Sequence, residues 1–198
     1  MRILAFSDLH LDVAARDAIL AAAGEADLLI GAGDFANRHE GLADYIAPFE
    51  AVADKTVFTC GNNETFAALR ESTSVPVLHG TTIERGGLVI AGIGCGIPPL
   101  TDAPFVSFDM EEDDAEAMLS EIDAADILIS HSPPKGIGDA HSSAGSIGSI
   151  AVAEAAARIA PRFLFCGHVH DCWGVRGTIG TTEVANLGPG LNWFETQD

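Results

Sequence analysis

Lysine is almost missing from this chain: Lys55 and Lys135 are the only two in 198 residues. Arginine and lysine together number 10 against 29 acids, a formal charge of -19. A surface of that sign repels polyanions at ordinary salt, so duplex nucleic acid is disfavoured as a partner. Long hydrophobic runs are missing as well. No stretch reaches 18 uninterrupted apolar residues, and the opening Met-Arg-Ile-Leu-Ala-Phe leads into Asp8 without the apolar region or cleavage site of a signal peptide. No membrane association is expected, and the sequence reads as soluble and cytoplasmic. The four cysteines contain no C-x-x-C pair, which excludes a zinc ribbon and a dense disulfide framework. Cys60 and Cys166 end apolar runs and read as buried small hydrophobes, whereas Cys95 and Cys172 fall in loop-like sequence. Gly92-Ile93-Gly94-Cys95-Gly96 lacks the spacing of a dinucleotide loop, and Pro98-Pro99 follows where its helix should begin. A Gly-x-Ser-x-Gly nucleophile elbow, internal repeats, a linker and low-complexity tracts are all missing.

What is present is a chain 47% hydrophobic, long enough to bury a substantial core and expected to form one domain over residues 1–198. Apolar runs at 2–6, 27–30 and 56–60 alternate with helical spacing at 11–23 and 42–52, the latter interrupted by Pro48. This alternation is the signature of parallel βαβ units. The segment TTIERGGLVIAG at 81–92 predicts a hairpin turning at Gly86-Gly87. Acids open an expected helix at 109–122, where they favour the helix dipole and read as a solvated face. A strand at 126–130, a helix at 148–160, a strand at 162–166 and antiparallel strands near the C-terminus complete the pattern.

Five of the expected strands end in ligand-type residues: Asp8 and His10, Asp34, Asn62, His131, and His168 and His170. The crevice outside the carboxyl ends of parallel strands is where open α/β sheets bind ligands, so these side chains can converge although they are distant in sequence. Singly, each has a structural reading: Asp34 could cap a helix and Asn62 could sit in a turn. Together they engage four of the seven histidines at strand ends, which coincidence explains poorly.

In this order the residues resemble the calcineurin-like metallophosphoesterase family: Asp8-Leu9-His10, Gly33-Asp34, Gly61-Asn62-Asn63-Glu64, His131 and Gly167-His168-Val169-His170. The segment from His131 to Asp139 and Asn186-Leu187-Gly188-Pro189-Gly190 look similar to the branch of small phosphoesterases that includes the brain metallophosphoesterase-domain proteins. The resemblance implies a four-layer αββα sandwich and a two-metal site. One ion would be held by Asp8, His10, Asp34 and His170, the other by Asp34, Asn62, His131 and His168, with Asp34 bridging. Carboxylate, imidazole and amide oxygen suit divalent Mn, Fe, Zn or Ni, with Mn placed first. A metal-bridging hydroxide would attack a phosphate ester, and two divalent ions would leave the site locally positive within an anionic protein. Diesters or cyclic phosphodiesters are expected ahead of monoesters, because the site offers little positive charge beyond the metals.

One position departs from the family pattern. The third residue of the Gly-Asn-His motif is Asn63, which has two N–H donors and an acceptor but no proton to transfer near neutral pH. His39 and His141 are the candidates to supply an acid, with His79 behind them, and Arg38 is a candidate phosphate contact. The alternative reading is a non-catalytic metal-binding scaffold with the same fold. Loops at 94–108 and 132–149 are expected to shape a pocket for a small phosphate ester, and a homo-oligomer is compatible with the sequence. The acid-rich, lysine-poor composition resembles proteins of salt-accumulating halophiles, where roughly molar salt shortens the Debye length to about 3 Å.

Overall fold

The structure is a computed structural model and describes residues 1–100 and 105–196. Its first sheet is built on β1 (Arg2–Phe6), β2 (Leu28–Ala32), β3 (Thr56–Thr59) and β4 (Val77–Leu78), all parallel. The second holds the hairpin β5 (Thr81–Arg85) and β6 (Leu88–Ile93), then β7 (Ile127–Ser130) and β10 (Phe163–Cys166). A short hairpin of β8 (Ala140–His141) and β9 (Gly145–Ser146) stands apart. Beyond β10 lie β11 (Arg176–Ile179) and β12 (Thr182–Asn186), giving the order β11-β12-β10-β7-β6-β5. Finally β13 (Asn192–Glu195) returns to the first sheet, antiparallel to β1. The expected antiparallel C-terminal strands are therefore split between the sheets, and β12 itself runs parallel to β10.

The alternation of side chains along each strand builds three apolar layers. In β1, Ile3 and Ala5 face the second sheet, meeting Ile90, Ile127, Ile129, Phe163 and Phe165. Leu4 and Phe6 face the other way, toward α1 (Val13–Ala22), α2 (Leu42–Ile46) and α3 (Phe66–Ser72). On the far side, Ile93, Leu128 and Leu164 pack against α4 (Glu112–Ser120) and α5 (Ile150–Ile159). The result is helices, sheet, sheet, helices, as expected. Each fully buried leucine, isoleucine or phenylalanine contributes about 1.5–3 kcal/mol. Phe6, Phe49 and Phe58 meet with ring centroids 5.4–6.4 Å apart, so the first sheet is seated on its helices by an aromatic cluster.

Three local outcomes differ from the expectations. The helix at 42–52 is α only to Ile46 and tightens into a 3-10 segment, Ala47–Lys55, because Pro48 has no N–H for the bond an α-helix needs there. Helix α3 has no counterpart among the expected elements; Thr65 caps it by accepting from the Ala68 N–H at 3.1 Å. The acid run is not wholly a solvated face. The Glu112 carboxylate reaches across to the start of α5, accepting from Ile150 N–H, Ala151 N–H and the Ser149 hydroxyl, each at 2.9 Å.

Candidate metal centre

The loops after β1, β2, β3, β7 and β10 open at the same edge of the two sheets, and the seven ligand-type side chains meet there. Asp34 stands in the middle. Its Oδ2 lies 3.5 Å from His10 Nε2 and its Oδ1 lies 3.5 Å from His131 Nε2. On one side, His10 Nε2 and His170 Nε2 are 3.1 Å apart, and His170 Nε2 is 3.8 Å from Asp8 Oδ1. On the other, Asn62 Oδ1 lies 3.1 Å from both His131 Nε2 and His168 Nδ1.

The backbone gives up comfort to achieve this. Asp8, His10, Asp34 and His168 all have φ between 42° and 67°, a region that residues with side chains rarely enter and that concentrates at functional sites. Gly61 is required for a different reason: any Cβ there would collide with the Asp34 carboxylate. Glu64, fully enclosed beneath the loop, accepts from the backbone N–H groups of Asp34, Gly61 and Ala36 at 2.7–3.0 Å and so fixes two ligand loops together. Burial and the neighbouring Asp34 push the Glu64 pKa up to about 7.

The donor set fits cations. His131 Nδ1 lies 2.8 Å from the Ala32 carbonyl, so it carries a proton and donates it. In the neutral ring Nε2 then has only a lone pair, and it faces the acceptor oxygens of Asn62 and Asp34. Three lone pairs pointed at one another require a proton or a metal between them. Burial disfavours a charged His131, but Asp34, Asp8 and the Ala32 carbonyl outweigh it and raise its pKa. His168 goes the opposite way, pushed down to about 3 by burial and by the adjacent His131. Burial also works against ionising Asp34, yet His131, His10, the Asn63 N–H and His168 hold its pKa below the usual carboxylate range. Burial lowers the His170 pKa.

A cleft of about 560 Å³ opens over this edge, lined by His10, Asp34, His168 and His170 together with Arg38, Asn63, Phe105 and His141. The loop at 132–149 thus contributes through His141 and Ser142; the loop at 94–108 contributes Phe105, while its residues 101–104 lie outside the described ones. Asn63 lines the cleft but spends one of its side-chain donors on Asp34. Its Nδ2 donates to Asp34 Oδ2 at 2.7 Å, its backbone N–H donates to Asp34 Oδ1 at 2.8 Å, and its Oδ1 accepts from Arg38 N–H at 2.9 Å. His39 Nε2 is 2.6 Å from the Val106 carbonyl. His141 Nδ1 accepts from the backbone N–H groups of Ser143 and Ala144 at 3.3 and 3.2 Å. His79 is not among the residues that line this cleft.

Three contributors had no signal in the sequence. Ser107 Oγ accepts from Asn62 Nδ2 at 2.8 Å and donates to Asp109 Oδ1 at 2.6 Å, which turns the Asn62 amide oxygen toward the histidines. Trp173 donates its indole N–H to Asp8 Oδ2 at 3.1 Å and lays its ring on His170, with centroids 4.6 Å apart. All three lie on loops whose paths are set by tertiary contacts; Trp173, three residues after a ligand histidine, is the one that proximity could have suggested.

Two facing sheets with carboxylate, amide and imidazole donors gathered at their common edge define the class, a layered α/β framework carrying candidate metal ligands. The particular family follows from the sequence profile: that of the calcineurin-like phosphoesterase superfamily domain matches residues 1–191, and the chain belongs to this family. No curated protein matches the sequence. Among solved structures, TT1561 of Thermus thermophilus superimposes with a TM-score of 0.73 at 19% identity, covering 94% of this chain and 88% of that one. A dimetal phosphatase from Danio rerio gives 0.59 at 13% identity, covering 96% and 88%. At these identities the likeness is one of fold.

Proposed function

We propose that residues 1–198 form one binuclear metal-dependent phosphoesterase domain. The observation that carries this reading is Asp34, which offers one oxygen to each half of the centre at the same 3.5 Å. Asp8, His10 and His170 would hold one ion with it, and Asn62, His131 and His168 the other. Two divalent cations, Mn ahead of Fe, Zn and Ni, would supply the Lewis acidity that lowers the pKa of a bound water and offsets charge on phosphoryl oxygens.

The surrounding residues divide the remaining work. Asn63 keeps the Asp34 carboxylate aimed and pins Arg38 to the cleft wall. Arg38 is the one arginine or lysine among the described lining residues, and Asp171 lines the cleft as well, so a singly charged diester or cyclic diester is a better match than a dianionic monoester. His141 is the acid for the departing oxygen: backbone donors hold its Nδ1 as an acceptor, which leaves the proton on Nε2. His39 is tied to Val106 and braces the loop instead. The four buried free thiols suit a reducing cytoplasm, and the acid surplus suits a salt-rich one. A higher melting temperature in multimolar KCl than in dilute buffer is the expected sign of the latter.

The test is hydrolysis of a bis-aryl phosphodiester in high-salt buffer with Mn²⁺, with chelator, and by Asp34→Asn. Turnover that needs both metal and Asp34 is expected. One observation favours a second reading: the Asn63 amide oxygen and one of its N–H groups are already engaged within the protein. A metal-loaded, folded protein without turnover would make the chain a scaffold.

A further inference from the structure

Outside the residues that line the cleft, three more ligating side chains meet. Cys60 follows β3, His79 follows β4 and Cys95 follows β6, and one donor atom from each lies within 4.8 Å of the other two. Both cysteines are free and fully buried. The His79 ring is flanked by Phe66 and Phe108, with centroids 5.3 and 6.3 Å away. Two features show that the chain is shaped around this cluster. Cys95 adopts φ 81°, a conformation costly for any residue with a Cβ, and its sulfur lies within 4.8 Å of the Cys60 sulfur. At Gly94 any Cβ would collide with that same sulfur, and the Gly94 N–H donates to His79 Nδ1 at 3.1 Å.

We propose that Cys60, Cys95 and His79 form a third cation site, selective for a thiophilic divalent ion of the zinc type and separate from the binuclear centre. Sulfur and imidazole together exclude hard ions such as Mg²⁺ and Ca²⁺. Charge selects within the softer ions. Two thiolates neutralise one divalent cation, so the loaded cluster is neutral in an apolar pocket, whereas Cu⁺ would leave a buried negative charge beside Glu64. Bond lengths of about 2.3 Å to sulfur and 2.0 Å to nitrogen put tetrahedral donors about 3.5–3.8 Å apart, within the observed limit of 4.8 Å. On loading, each thiol releases its proton, two per ion, and His79 exchanges the Gly94 N–H for the metal; water completes the fourth position. The site bears on the chemistry only by bracing. Cys60 lies two residues before Asn62, and Phe108, which backs His79, donates its N–H to the Asn62 carbonyl at 3.0 Å.

Cobalt reads this site alone, because the binuclear centre contains no sulfur. The full chain, stripped with chelator under reducing conditions, is titrated with Co²⁺ and followed in the near ultraviolet for thiolate-to-cobalt charge transfer. Once all sites are filled, a charge-transfer band with the intensity of one thiolate-bound Co²⁺ per chain is expected, unchanged in Asp34→Asn, lost in Cys95→Ala and weakened in His79→Ala. Zinc content after metal loading should fall by one equivalent in Cys95→Ala. His79→Ala keeps the test standing if a cysteine replacement fails to fold, since its ring is only partly enclosed. No band while both thiols remain free, or a Cys60–Cys95 disulfide found by mass, would overturn the proposal.

Discussion

The two halves of the proposed binuclear centre offer similar donors in different surroundings. The Asp8 half is open: the His10 side chain is 24% exposed and that of His170 49%. The Asn62 half is the more closed one, with His131 wholly buried and His168 half-buried at the cleft wall. In the open half, water can stabilise whatever charge the imidazoles carry. In the closed half that task falls to fixed partners, namely the Ala32 carbonyl on His131 and the Ser107–Asp109 pair on Asn62. An ion in the closed half should therefore be held firmly and exchange slowly, and an ion in the open half should come and go. Chelator should accordingly remove the two ions in two phases, the first within reach of solvent.

Replacement of Asp34 should erase the distinction, because it serves both sides. Asp34→Asn is expected to lower kcat/KM on a bis-aryl diester by about 10³-fold, equivalent to about 4 kcal/mol, with metal content reduced in both halves. His141→Ala touches neither half and should leave metal content unchanged. Its effect belongs to the leaving group: about 10²-fold on an alkyl ester and little on an aryl one, read as kcat for a leaving-group series. Ser107→Ala sharpens the comparison, since it frees only the Asn62 amide. Affinity for the more tightly held ion should drop about 10-fold by calorimetry, with the weaker one unaffected. The smallest effect is expected from Trp173→Phe, which removes the N–H from Asp8 and keeps a ring on His170. A change of about threefold in affinity, confined to the weaker ion, would support the assignment of Trp173 to the open half.

The meeting of the ligand-type residues was legible because the carboxyl ends of parallel strands share an edge: once 2–6, 27–30, 56–60, 126–130 and 162–166 read as strands, the places of Asp8, Asp34, Asn62, His131 and His168 followed. The layers were legible for a similar reason, since alternation in β1 alone separates Ile3 and Ala5 from Leu4 and Phe6. Loops defeated the reading. Ser107 reaches Asn62 across 45 positions through a path that no local propensity encodes. Cys95 and Cys172 lie in loop-like sequence that decides nothing about their burial, and both are buried because their loops fold inward. Glu112 reads as solvated because acids in a first turn usually are; the groups it satisfies begin 37 residues later, at Ser149.

The left-handed backbone at Asp8, His10, Asp34 and His168 has a consequence for anyone breeding sturdier variants of this protein. At each of these positions glycine would relieve strain of about 1–2 kcal/mol, so a screen that rewards heat resistance alone would be drawn toward them. Such a screen would drift downhill into stable, silent proteins. Selection has to hold those four side chains in place against a standing local incentive to lose them.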